Sequence, residues 1–407
     1  MSGALSHLRV LDLSRVLAGP WCGQLFADLG ADVIKVERPG AGDDTRTWGP
    51  PWMHTADGGS SGEAAYFMAA NRNKRSITVD VSKPEGQVIV RALAADSDVL
   101  LENYKVGGLR QYGLDYDSLG ALNPRLVYCS ITGFGQTGPY ALRAGYDFII
   151  QGMGGLMSIT GERDALPGGG PQKVGVAVAD LMTGMYAAVA VLAAIAERER
   201  SGQGQHVDMA LLDTQVAMTA NMAMNYLASG KPPGRAGNAH PNIVPYQTFE
   251  AADGHVIVAV GNDGQFRKLC QVAGCEALPD DPRFATNPAR VKYRETLVPL
   301  LAERIRQQPA RHWADALESV GVPCGPINDI GQALADPQVQ ARGMRVDLPH
   351  PTAGTVPLVA SPMRLSRTPP QYLRAPPTLG QHTDEVLAER LGYDAARIAA
   401  LRAASVI

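Results

Sequence analysis

Short apolar runs alternate with stretches of helical periodicity through the first half of the chain. Strands are expected at residues 10–13, 32–36, 77–80, 99–101 and 126–131, and helices at 21–29 and 84–95. This alternation predicts a Rossmann-like α/β fold, a parallel sheet with helices on its faces. Ligands bind such sheets beyond the carboxyl ends of the strands. The candidate site is therefore formed by the segments that follow strands, residues 14–20, 37–46, 102–108 and 133–147.

The pattern changes after residue 228. A segment rich in Gly, Pro and Asn follows, and two alternating runs joined through Asp253 and Gly254 predict an antiparallel hairpin. Helices are expected at residues 265–273, 294–307 and 310–320. We therefore predict a large α/β domain over residues 1–228, a small α+β domain over 229–330 and a loop-rich segment over 331–407. So long a tail needs a surface to cover, so it is expected to return to the large domain.

The composition narrows the classes of function. Hydrophobic residues make up 45% and charged residues 19% of the 407 residues, which is typical of a globular protein with a sizeable core. A net charge of −3 without a basic stripe argues against nucleic acid as a partner. The five cysteines are scattered, which favours a reducing compartment. With no metal-ligand spacing and no apolar run of about twenty residues, we expect a cytoplasmic protein that binds neither metal nor membrane.

A single carboxylate, Asp180, stands where an alanine- and valine-rich run gives way to a long apolar helical pattern. A charged side chain in such company is costly unless it caps the helix or takes part in chemistry. Free N–H groups and the dipole at a helix start favour its ionised form. Gly184, one turn later, leaves that face open to a close neighbour. Spacing alone favours an ordinary N-cap; the rest of the chain favours a reactive group.

Two segments combine cations with glycine or polar neighbours, and a third segment has a tyrosine after a glycine-rich loop. The cations are Lys35, Arg38 and Arg46 in the first segment and Arg72, Lys74 and Arg75 in the second. Such side chains bind phosphate or carboxylate, although either segment alone also fits a solvated loop. Tyr146 can donate a hydrogen bond but is a poor base, since its reference pKa is about 10; it fits a half-buried packing residue equally well. The sequence contains no Walker A motif, and its N-terminal strand leads into residues 17–20 rather than into a Gly-x-Gly-x-x-Gly turn.

Taken together, these segments resemble the family III CoA-transferases. The matching pieces occur in family order at residues 14–20, 35–43, 71–76, 102–104, 145–147, 180–184, 202–205 and 379–383. The resemblance implies that Asp180 is the nucleophile, which attacks an acyl-CoA thioester and forms an aspartyl–acyl anhydride. It also implies an interlocked homodimer. The expected substrates are a CoA thioester and a small carboxylic acid, with no permanently bound cofactor.

The family pattern also implies binding residues. Those implicated in CoA binding are Val16, Arg38, Asn103, Tyr104 and Arg75. Backbone N–H groups of Gly261 and its neighbour Asn262 are nominated as donors to the developing oxyanion. Related 2-methylacyl-CoA racemases remove a proton with a His–Asp pair. Tyr146 stands at the histidine position here, which favours transfer over racemisation.

Within the family, the chain most resembles the glutarate-CoA transferases, through residues 42–51, 131–133 and 239–247. That likeness implies succinyl-CoA as donor and glutarate as acceptor; itaconate, mesaconate, malate and oxalate remain open. A dicarboxylate needs a cation for its distal carboxylate. Arg72 or Arg46 is expected to supply it through two parallel hydrogen bonds, with His240 as a second polar candidate.

Overall fold

The computed structural model describes residues 3–407, which form two compact units. The first unit runs to Leu156 and resumes over Val174–Met224 and Gln338–Ile407; the second consists of Met157–Lys173 and Asn225–Pro337. The unit boundaries therefore lie a few residues from those expected at 228 and 330. Residues 157–173, which were expected in the large domain, belong to the second unit.

The elements of the described residues are as follows. The strands are β1 (Arg9–Asp12), β2 (Asp32–Glu37), β3 (Trp52–His54), β4 (Ser60–Ala64), β5 (Arg75–Thr78), β6 (Val99–Glu102), β7 (Val127–Thr132), β8 (His206–Ala210), β9 (Tyr246–Ala251), β10 (Gly254–Ala259), β11 (Cys324–Pro326), β12 (Arg345–His350) and β13 (Gly354–Val359). The α-helices are α1 (Ala18–Asp28), α2 (Ala65–Met68), α3 (Pro84–Ala95), α4 (Tyr116–Leu122), α5 (Asp147–Met153), α6 (Leu156–Ile159), α7 (Val178–Ser201), α8 (Leu211–Met218), α9 (Ala220–Ser229), α10 (Asp263–Val272), α11 (Asn287–Lys292), α12 (Arg294–Ile305), α13 (Ala310–Ser319), α14 (Ile330–Ala335), α15 (Pro337–Ala341), α16 (Thr383–Leu391) and α17 (Ala395–Ala403). Short 3-10 helices lie at Asp44–Thr47, Arg110–Tyr112 and Leu278–Asp280.

The first unit is built on a six-stranded sheet in the order β5-β2-β1-β6-β7-β8. Every neighbouring pair is parallel, so the predicted parallel sheet is confirmed. Leu11 of β1 lies between Ile34 of β2 and Leu100 of β6. The edge strand β8 was not predicted, because His206 and Asp208 interrupt the apolar pattern by which the other strands were recognised.

Successive side chains of β1 face opposite sides of the sheet, as the strand geometry requires. Val10 belongs to a core with Val191 of α7, whereas Leu11 belongs to a core with Val90 of α3 and Leu387 of α16. A strand buried on both faces has a continuous apolar sequence. This is why the central strands could be located from the sequence.

The strand order reverses between β1 and β6. The chain passes from β1 to β2 and β5 on one side, and then places β6 on the other side of β1. A crevice forms where loops diverge at such a point. Two residues that follow these strands join the loops: Asn103 Oδ1 accepts from the Arg15 nitrogen at 2.9 Å, and Asn103 Nδ2 donates to the Arg15 carbonyl at 2.7 Å. The fold thus places the segments predicted to bind CoA beside one crevice.

The second unit contains the predicted hairpin. Strands β9 and β10 pair antiparallel, with Val256 opposite Phe249, and β11 adds to the other side of β10. Helices α10, α12 and α13 occur where helices were predicted. Their apolar faces and the sheet share one core, which includes Phe266, Leu297 and Trp313.

The C-terminal segment has more regular structure than predicted. Strands β12 and β13 form a two-stranded antiparallel ribbon, in which Asp347 pairs with Pro357. The prolines in this segment had indicated loops. In a two-stranded ribbon, however, one edge of each strand has no partner strand, so a proline whose missing N–H would lie on that edge costs no hydrogen bond. Farther on, the His382 nitrogen donates to the Ser76 carbonyl of β5 at 2.9 Å. Residues 338–407 therefore belong to the same unit as the parallel sheet.

Helix α7 is long and apolar enough to cross a membrane by length and composition, with a mean hydropathy of 1.9 over its most apolar window. The charge-free run between Asp180 and Glu197 is nevertheless shorter than the roughly twenty apolar residues that a span requires. In the structure, Ala187 and Val191 of this helix are buried beneath the sheet. A helix in the core of a folded domain reaches the same hydropathy.

Candidate active site

Asp180 is the third residue of α7 and lies at the wall of a cleft. The N-cap position is occupied by Ala177, which has no capping side chain, so the N-cap interpretation of Asp180 is wrong. Within residues 3–407, the Asp180 carboxylate has neither a hydrogen-bond partner nor an ion-pair partner. The side chain is partly buried and open to the cleft, and it is therefore available to react.

The cleft brings together several residues that the sequence nominated. It encloses about 960 Å³, counting its open mouth. Val16, Asn103, Tyr104 and Tyr146 line it together with Asp180. Tyr146 is exposed, at 62%, rather than half-buried in packing. The loops after β1, β6 and β7 and the start of α7 thus converge on one carboxylate.

A second cleft, of about 1140 Å³, continues the first one. The two share Arg15, Asp44 and Tyr104, and the second cleft is lined by Arg38. Arg38 is exposed and forms no ion pair among the residues described. A groove therefore extends from Asp180, past Tyr104, to a free guanidinium, which suits a long ligand with an anionic end.

Buried charges hold the loops at the mouth of the groove. The Lys35 ammonium donates to Asp43 and to the Ser14 carbonyl, both at 2.8 Å, and both charged side chains are fully buried. Asp43 also accepts from the Val16 nitrogen at 3.2 Å. Val16 has φ of +72°, a left-handed conformation that a β-branched residue rarely adopts. The contact with Asp43 helps to hold this strained residue against the cleft.

The other predicted cations are used within the fold. Arg72 forms two hydrogen bonds to Asp28, at 2.8 and 2.5 Å, and a third to the Val359 carbonyl at 2.8 Å. Arg46 forms two to Glu37, both at 2.7 Å. Both are almost fully buried, and neither lines the Asp180 cleft. The structure therefore does not support a role for Arg72 or Arg46 in binding the acceptor carboxylate.

Arg75 is also engaged elsewhere. Its guanidinium binds Asp32 at 2.6 Å and Glu389 at 2.6 Å, and it lines neither part of the groove. These ion pairs tie β5 to β2 and α16. The structure thus gives Arg75 a structural role and does not support the expectation that it binds CoA.

The candidates in the second unit have local partners. The Gly261 nitrogen donates to Gln265 Oε1 at 2.8 Å, and Asn262 caps α10 by accepting from the Gln265 nitrogen at 2.9 Å. His240 Nδ1 accepts from the Asn242 nitrogen at 3.1 Å. Because the Gly261 N–H is already paired, the structure argues against its nomination as an oxyanion donor.

Asp147 has a role that the sequence analysis missed. Its Oδ1 accepts from the Ala179 nitrogen at 2.8 Å, and its Oδ2 accepts from Gln151 Nε2 at 2.7 Å. The fully buried Gln151 in turn accepts from the Val174 nitrogen at 2.9 Å. Asp147, on the neighbouring helix α5, therefore caps the start of α7. The N–H group that it binds belongs to Ala179, the residue before Asp180. The signals in the sequence were the family match at residues 145–147 and the i, i+4 spacing of Asp147 and Gln151.

The surroundings of Asp180 change its acidity. Burial raises the pKa of Asp180 to about 7, and the nearby Asp147 carboxylate contributes to the rise. The helix start favours the ionised form of Asp180, whereas burial and the Asp147 charge oppose it. Burial also raises the pKa of Tyr66 to about 12, with the charges of Asp180 and Asp147 adding to it. Tyr66 thus lies near both carboxylates, and no sequence motif signalled it.

Comparison with known proteins decides the family. The family model described as "CoA-transferase family III" matches residues 5–383. This chain belongs to CoA-transferase family III. As a member of this family, the enzyme uses a CoA thioester and a carboxylic acid as substrates.

Relatives of this family III CoA-transferase are similar over nearly their whole length. It is 56% identical over 385 residues to succinate–glutarate CoA-transferase from Agrobacterium fabrum, covering 95% of each chain. It is 43% identical over 403 residues to succinyl-CoA:glutarate CoA-transferase from Homo sapiens, covering 99% of this chain and 90% of the relative. The crystal structure of a CAIB/BAIF family protein from Brucella suis matches with a TM-score of 0.84 and 53% identity, covering 96% of this chain and all of that chain.

Proposed function

We propose that this transferase moves CoA from succinyl-CoA to glutarate, or to a closely similar dicarboxylate, through an anhydride on Asp180. The observation that carries the mechanism is the unpaired Asp180 carboxylate at the end of a groove that extends to Arg38. The substrates are supported by the names of the relatives from A. fabrum and H. sapiens.

The reaction begins when the ionised Asp180 attacks the thioester carbonyl of succinyl-CoA. The C–S bond breaks, CoA leaves as a thiolate, and a succinyl–aspartyl anhydride remains. The thiolate attacks the aspartyl carbonyl, which releases succinate and leaves an Asp180 thioester. Glutarate attacks this thioester and forms a second anhydride and a thiolate. Attack of the thiolate on the glutaryl carbonyl releases glutaryl-CoA and restores Asp180.

The groove supports this sequence of steps because the thiolate must stay close to the aspartyl carbonyl. Tyr104 and Val16 line the part of the groove next to Asp180 and would contact the pantetheine arm. Arg38 lies where an anionic end of CoA would extend. Binding of CoA at a distance from the reacting carbon would hold the thiolate in place while the acids exchange.

We also propose that the protein is a cytoplasmic homodimer. Large apolar side chains on α7 and α8 are exposed, with Val189 at 64%, Met185 at 49% and Val216 at 52%. An apolar surface of this kind favours association with a second copy. The five cysteines are all free thiols, which fits a reducing compartment.

A product assay tests the proposed function. The wild-type enzyme and Asp180→Asn are incubated with succinyl-CoA and a panel of dicarboxylic acids, and new thioesters are identified by mass spectrometry. We expect glutaryl-CoA as the main product of the wild type and none from the variant, which should retain its circular dichroism spectrum. Transfer by Asp180→Asn at the wild-type rate would contradict the nucleophile, and preference for another acid would contradict the acceptor.

A further inference from the structure

A dicarboxylate presents a second negative charge to the site that binds its reacting end. The cations lining the Asp180 cleft are Arg15, Lys105 and Arg143. Arg15 is paired with Asp44 at 2.9 Å. Across residues 3–407, Lys105 and Arg143 form no ion pair. Arg46 and Arg72 are bound to buried carboxylates, so among the described residues Lys105 and Arg143 are the two cations free to bind an anion in the cleft.

Arg143 is held in place by aromatic rings. Its guanidinium carbon lies 3.9 Å from the centre of the Tyr140 ring, and Tyr140 contacts Phe134 edge-on, with 5.6 Å between ring centres. Stacking fixes the plane of a guanidinium and leaves its N–H donors unused. A planar fork with free donors matches the geometry of a carboxylate.

The chain connects Arg143 to the reacting end of the cleft. The same loop continues into Tyr146, which lines the cleft, and Asp147, which accepts from the nitrogen of Ala179 next to the nucleophile. Lys105 instead follows Tyr104, whose neighbourhood opens toward Arg38. Both cations line the Asp180 cleft, but only Arg143 is stacked on an aromatic ring and shares its loop with Tyr146 and Asp147 at the reacting end.

We propose that Arg143 binds the distal carboxylate of the dicarboxylate and so sets the preference of the enzyme for dicarboxylic over monocarboxylic acids. This inference rests on the proposed function, since it assumes a dicarboxylate acceptor. It assigns the acceptor specificity to one exposed, aromatic-stacked guanidinium rather than to the buried Arg46 and Arg72.

An internal competition experiment tests this assignment. Succinyl-CoA is mixed with equal concentrations of glutarate and its monomethyl ester, and the ratio of the two new thioesters is measured by mass spectrometry. This ratio does not depend on how much enzyme is folded. We expect Arg143→Gln to lower the ratio about 10- to 100-fold, the usual range for losing hydrogen bonds to a charged group. Arg143→Lys should lower the ratio by a smaller factor, since lysine keeps the positive charge but lacks the paired N–H donors of the guanidinium.

The matched control is Arg200→Gln, which removes an exposed guanidinium at the far end of the helix that carries Asp180. It should leave the ratio unchanged. An unchanged ratio in Arg143→Gln would overturn the inference, as would a wild type that transfers CoA equally to both acids. A wild type that transfers CoA to neither acid but to another one would instead overturn the proposed acceptor, so the two failures are distinguishable.

Discussion

The carboxylate of Asp147 accepts a hydrogen bond from the nitrogen of Ala179 at 2.8 Å, which places one anion beside another at the start of α7. The contact orders the first turn of the helix that carries Asp180. The charge of Asp147 also adds to the effect of burial in raising the pKa of Asp180 to about 7. Like charges at close range disfavour ionisation of either group. Substitutions of Asp147 can separate the effect of its hydrogen bond on the helix start from the effect of its charge on the pKa of Asp180.

The substitution Asp147→Asn should shift the pH dependence of transfer. An amide oxygen still accepts from Ala179, but the negative charge is gone, so the pKa of Asp180 should fall toward its ordinary range. Attack requires ionised Asp180. The rise of kcat/KM for succinyl-CoA, centred near pH 7 in the wild type, should therefore move to lower pH. If kcat/KM of the variant rose at the same pH as that of the wild type, Asp147 would not affect the pKa of Asp180.

The variant Asp147→Ala provides the contrast. It removes the charge and the hydrogen bond to Ala179 together, and loss of a helix cap costs about 0.5–2 kcal/mol. We therefore expect it to lower both the melting temperature and kcat. The asparagine variant keeps the bond to Ala179 but places an N–H donor opposite Gln151 Nε2, so its melting temperature should fall less than that of the alanine variant.

The substitution Asp180→Asn should stabilise the fold at alkaline pH. The folded-state pKa of about 7 lies above the ordinary aspartate pKa of 3.8, so stability is lost as the pH rises from 3.8 through 7, where only the unfolded state ionises readily. Removing this group should raise the free energy of unfolding at pH 8 by about 1–2 kcal/mol, after allowance for solvent screening. At pH 4 the difference should vanish.

Urea unfolding at the two pH values measures this gain. A suitable control is Glu276→Gln, which removes an exposed carboxylate from a loop between helices and should change neither value. Equal stabilities of wild type and Asp180→Asn at pH 8 would contradict the raised pKa.

The substitution Arg72→Ala should destabilise the protein without altering its choice of acid. It leaves Asp28 buried without its guanidinium partner, and breaking a buried ion pair costs about 3–5 kcal/mol. The measurements are the free energy of unfolding and the product ratio from the competition between glutarate and its monomethyl ester. A lowered product ratio with normal stability would restore Arg72 as a substrate-binding residue.

The substitution Gly184→Ala should push α1 and α7 apart. A Cβ at this position would lie 2.5 Å from the Ala18 carbonyl oxygen, and overpacking of this kind costs about 1–3 kcal/mol. Gly325→Ala is the control, because nothing lies within 4 Å of the added carbon. We expect a lower melting temperature only for the first variant, and equal melting temperatures would contradict the close approach of the two helices.

The sequence predicted the features that depend on neighbours along the chain. Helix α3 begins at Pro84, as expected, because proline at a first helical position marks the start of a helix. The central strands were found because both of their faces are apolar. The partners of charged residues were not predictable in this way. Arg72 and Asp28 are distant in sequence, and neither residue indicates the other.

The raised pKa of Asp180 was not predicted either, because its causes lie far from Asp180 in the sequence. The helix start and its dipole are local features and favour ionisation. The opposing effects come from burial in the folded cleft and from Asp147 on a different helix. A local pattern located the nucleophile, but its protonation depends on contacts that form only in the tertiary structure.

The central claim is that Asp180 becomes covalently acylated during transfer. The direct measurement is to add hydroxylamine to the enzyme during turnover with succinyl-CoA and glutarate, and to analyse the peptide containing Asp180 by mass spectrometry. We expect a hydroxamate on Asp180 whose formation requires succinyl-CoA. An unmodified Asp180 peptide in a sample that is forming glutaryl-CoA would contradict that claim.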